Sequence, residues 1–255
     1  MSTTTVLVRT GGAEWSRIWS VRSSWILAVV TAVAVVGLGT IIGYNAADEP
    51  SGAAPGVSAW DRGQATGMFA LFGVLAMSVV TSTADYGTGG IVPTLQWTPR
   101  RGALLAARAG VIAATTALLG VLLVAAASVA VWTLLPELGL PAGDGTEILG
   151  GLGFVFLSGA LLAVGLGLAL RSTAGGLVAV IALMLVLPML LEQLPYGWAV
   201  DLSTLMPGSG ALYLIFGGGP SDDVTTTSAR LTLAAWAVAA LLVGGRRLLR
   251  TDADR

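Results

Sequence analysis

GVIAATTALLGVLLVAAASVAVWTLL, residues 110–135, runs for 26 residues without one charged side chain. A helix rises 1.5 Å per residue, so about 20 mostly apolar residues cross the hydrocarbon core of a bilayer. Lipid offers no partner to a backbone amide, so a segment of this kind must satisfy its own hydrogen bonds as a helix. Working outward, the same reading marks 66–83 and 25–44 on the N-terminal side, and 148–170, 175–194 and 231–249 on the C-terminal side. The expected fold class is all-α: a polytopic integral membrane protein with six transmembrane helices, forming a single transmembrane domain over 1–255. The last span is the shortest in strictly uncharged residues, so Arg230, Arg246 and Arg247 are expected to snorkel to the interfaces. Residues 1–22 are polar and the first apolar block starts at Trp25, so that block reads as a retained span rather than a cleaved signal.

Composition agrees with this reading. Of the 255 residues 55% are hydrophobic and 11% charged, and the mean hydropathy is +0.84. A soluble domain carries about 25% charged residues. The sequence has no Cys, no His and no Lys, and all 13 basic residues are Arg. Without Lys there is no P-loop, and without Cys there is no thiolate or disulfide chemistry. Without His there is neither a His-Glu-x-x-His metal site nor a histidine base for an intramembrane protease. The chain is therefore not expected to be an enzyme or to hold a cofactor or metal. Nucleic acid is not an expected partner; membrane lipid is.

Charge asymmetry orients the spans. With both termini in the cytoplasm, 11 arginines face inward and only Arg62 and Arg230 face outward. Most acids fall outside, and Glu14, Asp85, Asp252 and Asp254 fall inside. Residues 202–221 are uncharged but contain Pro207, Gly208, Gly210 and the run Gly217-Gly218-Gly219, which break helices. We read 195–229 as an extracytoplasmic loop holding short re-entrant helices before the last span. A seventh crossing there would put the C-terminal arginines outside.

Two cytoplasmic segments are patterned. In 1–24, Trp15, Ile18, Trp19 and Arg22 follow i, i+3, i+4, i+7, as in a helix lying on the inner leaflet or an aromatic anchor for the first span. Residues 84–108 read ADYGTGGIVPTLQWTPRRGALLAAR: an acid, a glycine turn, a short apolar helix and a Pro-Arg-Arg boundary. Such a loop either docks a partner or is a charged turn obeying the positive-inside rule, and Arg100 and Arg101 also suit anionic headgroups. Glycines and alanines recur at four-residue spacing, as in Gly39/Gly43, Gly63/Gly67 and Gly159/Ala163/Gly167, and favour close helix packing within one chain over dimerisation. Pro188 is expected to bend the fifth span.

The order Asp85, Gly87-Thr88, Thr94-Leu95, Thr98-Pro99-Arg100-Arg101, together with 14–23 before the first span and the apolar loop before the last, resembles the permease subunit of the type-2 class of ATP-binding-cassette exporters. The likeness spans the chain in topology, while its motif covers only the 84–108 segment; where this sequence has Asp85 the family usually has Glu. The resemblance implies a subunit of a bacterial plasma-membrane exporter, with a second permease half expected to be an identical chain. It also implies two copies of a cytoplasmic ATPase subunit carrying the ATP and Mg. It assigns Asp85, Gly87, Thr88, Thr94, Leu95, Pro99, Arg100 and Arg101 to a coupling loop. The near-absence of intramembrane acids disfavours ion-coupled transport and suits an amphipathic or hydrophobic substrate such as a drug, lipid or natural product. Met68, Phe69, Phe72, Met77, Met184 and Met189 are adaptable candidates for its pathway, or ordinary packing residues. A non-transporting membrane partner, for sensing or assembly, is the rival class.

Overall fold

The computed structural model describes residues 3–48, 56–88 and 101–250. Among them every regular element is helical. α1 (Thr3–Ser20) is separated from α2 (Arg22–Asp48) by Val21 alone, and α3 (Ala59–Gln64) leads into α4 (Gly67–Thr88). There follow α5 (Arg101–Leu134), α6 (Ala142–Leu170), α7 (Thr173–Glu192), α8 (Gly197–Thr204), α9 (Pro207–Phe216) and α10 (Thr226–Arg250). Six of these, α2, α4, α5, α6, α7 and α10, are long and apolar enough to cross a membrane. This is the all-α polytopic architecture read from the uncharged blocks.

The helices overrun those blocks. α5 begins at Arg101, well before Gly110, because the Ala/Leu-rich run 102–109 favours helix whether or not it lies in lipid. The 84–108 segment is accordingly no continuous loop. Residues 84–88 close α4, 101–108 open α5, and only 89–100 connect them. The N-terminal segment is likewise divided: the helix breaks at Val21, so Arg22 belongs to α2 and leaves the stripe begun by Trp15, Ile18 and Trp19.

α6 is the hub. Of its most apolar window 67% is buried, against 22% for α2 and for α7, so those two form the periphery. Its small residues allow this. A Cβ on Gly165 would sit 2.4 Å from the Ala240 carbonyl carbon, so α6 and α10 touch backbone to backbone. α2 meets α5 in the same way, with Gly39 against Ala127. The four-residue spacings thus serve packing within the chain. Around α6 the core gathers Leu71, Val74 and Leu75 of α4, Val124 of α5, Phe156 and Leu162 of α6 itself, and Leu233 of α10. Buried hydroxyls join neighbouring helices: Ser78 meets Thr116 at 3.0 Å, and Thr83 meets Thr173 at 2.7 Å.

α7 departs from α-geometry over Ala182–Val186, where it widens to a π-helix directly before Pro188. A proline ring clashes with the carbonyl four residues earlier, here that of Met184, and a wider turn relieves the clash. The same carbonyl borders α9: a Cβ on Gly208 would lie 2.0 Å from it, so only glycine fits. α8 and α9 meet at 74°.

Hydrogen bonds assign the helix ends to two ends of the bundle. At one, Arg101 Nη1 donates to the Leu249 carbonyl at 3.2 Å, Arg171 Nη2 donates to the Arg247 carbonyl at 3.2 Å, and the Arg171 guanidinium lies over the Tyr86 ring. At the other, Trp60 Nε1 donates to the Pro141 carbonyl at 3.0 Å and Gln64 Nε2 to the Ile215 carbonyl at 2.7 Å, and Arg230 lies over Phe154. The bent pair α8–α9 starts just beyond Glu192 and finishes beside Gln64. Its elbow is pinned where Trp236 Nε1 donates to the Leu205 carbonyl at 2.7 Å. Trp236 lies about 15 Å along α10 from Thr226.

Candidate functional site: a buried ion cluster beside the α4–α5 connection

Arg108 lies two turns into α5, and its side chain is 0% exposed. A guanidinium cannot shed its charge, and removing one from water costs several kcal/mol unless carboxylates compensate. Two do. Glu14 of α1 accepts from Arg108 Nε on Oε1 at 3.1 Å, and Asp85 of α4 accepts from Arg108 Nη2 on Oδ2. Both carboxylates also meet Arg17: Nη2 lies 2.6 Å from Glu14 Oε2, and Nη1 lies 2.7 Å from Asp85 Oδ1. Arg17 Nη2 donates in addition to the Thr81 carbonyl at 3.1 Å. The result is a neutral ring of two cations and two anions that fastens α1, α4 and α5 to one another.

The local sequence explains the convergence. Glu14, Arg17 and Ile18 share one face of α1, at spacings of three and four. Ile18 is 1% exposed and packs with Met77, Ile112, Val164 and Leu168, which seats that face in the bundle. Trp15 is half exposed on the other side. The chain turn after α1 is held by aromatic contact: Trp19 and Trp25 ring centroids are 4.9 Å apart, and Trp25 Nε1 donates to the Trp19 carbonyl at 2.9 Å. Arg171, the cap of α6 at a left-handed φ of 54°, aims its guanidinium at Tyr86, next to Asp85.

The sequence-derived coupling residues separate into two groups. Asp85 belongs to the cluster: its carboxylate is turned toward Arg17 and Arg108 of its own chain, not outward as a docking group. Gly87 and Thr88 form the last turn of α4, and Arg101 opens α5. Thr94, Leu95, Pro99 and Arg100 lie outside the described residues. Glu14, Arg17 and Arg108 escaped the sequence reading as a set. A signal was present, for Arg108 is a lone charge within the apolar run 102–135, and Glu14 and Asp85 are rare acids in segments otherwise rich in arginine.

The six pathway candidates do not converge. Met77 and Met184 are core residues at 1% and 2% exposure, Met68 and Phe72 are half-buried, and Phe69 and Met189 look outward. Met77 and Met184 pack in the core clusters. Among the described residues no group of three or more acids could hold a metal ion.

No protein-family model matches this chain, and no curated protein matches it.

Proposed function

We propose that the chain is the membrane-spanning permease subunit of an ATP-driven exporter, powered by a separate ATP-binding-cassette ATPase at its arginine-rich, cytoplasmic end. One observation carries this reading. The ion cluster brackets the 89–100 connection, with Asp85 just before it and Arg108 just after it, and both are locked to α1. A push on the end of α4 or the start of α5 would therefore reach three helices at once. An ATPase that contacts the connection differently in its two nucleotide states would bias the bundle between two arrangements, which is how coupling free energy arises. The absence of Lys from the sequence fits a subunit whose ATP and Mg are held by a partner. The substrate on this reading is amphipathic or hydrophobic, and the bent pair α8–α9 is a re-entrant element at the extracytoplasmic end.

The test is gentle-detergent purification of the tagged chain from its native host, beside a variant carrying Thr94→Glu and Leu95→Glu. The expected result is a stoichiometric ATPase with the parent chain and its loss with the variant, while both chains elute as the same folded species. Absence of any ATPase from the intact parent chain overturns the exporter reading in favour of a non-transporting membrane partner.

A further inference from the structure

The acidic end contains two cavities on adjoining faces of α9. One, of about 260 Å³, is lined by Glu192, Ser209, Leu212, Gly218, Gly219 and Pro220. The other, of about 450 Å³, opens between Asp61, Asp144 and Glu147 on one side and Tyr213 and Arg230 on the other.

The smaller cavity holds an anomaly. Ser209 is 2% exposed, yet its Oγ has no hydrogen-bond partner among the described residues. A buried hydroxyl left unpaired is costly and uncommon. Ser128 and Ser203 satisfy their hydroxyls by donating to the carbonyls of Val124 and Val200, whereas Ser209 Oγ, like that of Ser24, has no partner among the described residues. The Ser209 hydroxyl is open to another group, in a cavity that also offers the Glu192 carboxylate, the apolar side chain of Leu212 and a stretch of glycine backbone.

The field there favours a cation. Across the two cavities four carboxylates, Asp61, Asp144, Glu147 and Glu192, stand against the one guanidinium of Arg230. α9 ends between them at Gly217, whose φ of 74° closes the helix, and a helix C-terminus carries a partial negative charge. A hydroxyl that can accept, a carboxylate and an apolar wall together match a protonated primary amine on an apolar skeleton: N–H donors for Ser209 and Glu192, and a hydrocarbon body for Leu212.

We propose that the Glu192–Ser209 cavity binds the ammonium group of a cationic amphiphile, with the larger acidic cavity as its vestibule. Naming that ligand as transported substrate rests on the exporter reading above; the binding itself does not.

The test uses the full chain in phosphatidylcholine nanodiscs, with octylammonium as probe and octanol as its neutral counterpart, measured by equilibrium dialysis against empty nanodiscs. Saturable octylammonium binding above the empty-disc level is expected, with none for octanol. Glu192→Gln should weaken it about tenfold, as for loss of a charged hydrogen bond, and Ser209→Ala about threefold. Asp201→Asn removes an exposed carboxylate that lines neither cavity and should leave binding unchanged. Binding no greater than to empty discs, or equal in the parent chain and Glu192→Gln, overturns the site. An equal loss with Asp201→Asn overturns it too, because general surface charge would then be the cause. An ATPase that co-purifies with a chain that binds no octylammonium would leave the exporter standing without this site. Binding without an ATPase would leave the site standing without the exporter.

Discussion

The two ends of this bundle solve opposite problems with the same helices. At the arginine-rich end charge is buried and balanced: Arg108 is sealed from solvent, and two carboxylates and a second arginine complete the ring. At the acidic end the backbone is cut into short pieces, a π turn precedes a proline, glycines permit close approach, and carboxylates gather around cavities. The first end is built to keep three helices in fixed relation. The second is built from short helices that meet at breaks. On the exporter reading proposed above, one end would receive the drive and the other would release the substrate.

Breaking the first end should cost most. Arg108→Met leaves Glu14 and Asp85 buried with Arg17 alone, and a broken buried pair costs about 3–5 kcal/mol. The expected outcome is an early midpoint in denaturant-induced unfolding of the detergent-solubilised chain. Replacing the three together, Glu14→Gln, Asp85→Asn and Arg108→Met, should recover much of that loss, because no lone charge is then left behind. Equal loss in the single and triple variants would mean that Arg108 matters for its packing rather than its charge.

At the acidic end the largest single effect is expected from Gly208→Ala, whose new methyl would meet the Met184 carbonyl oxygen at 2.0 Å. Overpacking of this kind costs about 1–3 kcal/mol. Because the strain falls between α7 and α9, limited proteolysis should show the 195–229 segment opening while α1, α4 and α5 stay protected. Simultaneous loosening of both ends would erase the contrast drawn here.

A smaller effect belongs to Ser58, which caps α3 reciprocally with Asp61: the Ser58 amide donates to Asp61 Oδ2 at 2.7 Å, and the Asp61 amide donates to Ser58 Oγ at 3.4 Å. Ser58→Ala should lower stability by about 1 kcal/mol, read in the same unfolding assay. Smallest of all, Asp201→Asn on exposed α8 should stay within about 0.5 kcal/mol of the parent chain.

Much of the fold was legible because lipid imposes a length. An uncharged block of the right size can do little else than span, so the six long helices follow from where charges are missing. Their ends were less legible, since the rule governs only the part in hydrocarbon. Arg101 to Ala109 continue a helix in the interface for reasons of propensity, and the same residues carried Arg108 from a presumed loop into the bundle. The break at 202–221 was readable from Pro207 and its glycines, whereas the angle between its halves depends on Trp236 and Met184, distant in sequence. The ion cluster was the hardest to foresee. Glu14, Asp85 and Arg108 are separated by long stretches of chain, and no local pattern pairs them; only the excess of arginine around two isolated acids hinted at it. The methionines suit a pathway and a core equally by their softness, and Met77 and Met184 are buried in the core.

The buried arginine also has a place in time. Glu14 and Arg17 are synthesised first, Asp85 next, and Arg108 last. When α5 leaves the ribosome carrying its lone charge, both carboxylates that neutralise it have already been made. A helix that would enter lipid reluctantly by itself thus emerges after both of its counter-ions. Reversing that order by circular permutation would ask Arg108 to wait in the bilayer unpaired, a test of whether the order of synthesis is itself part of how this protein is built.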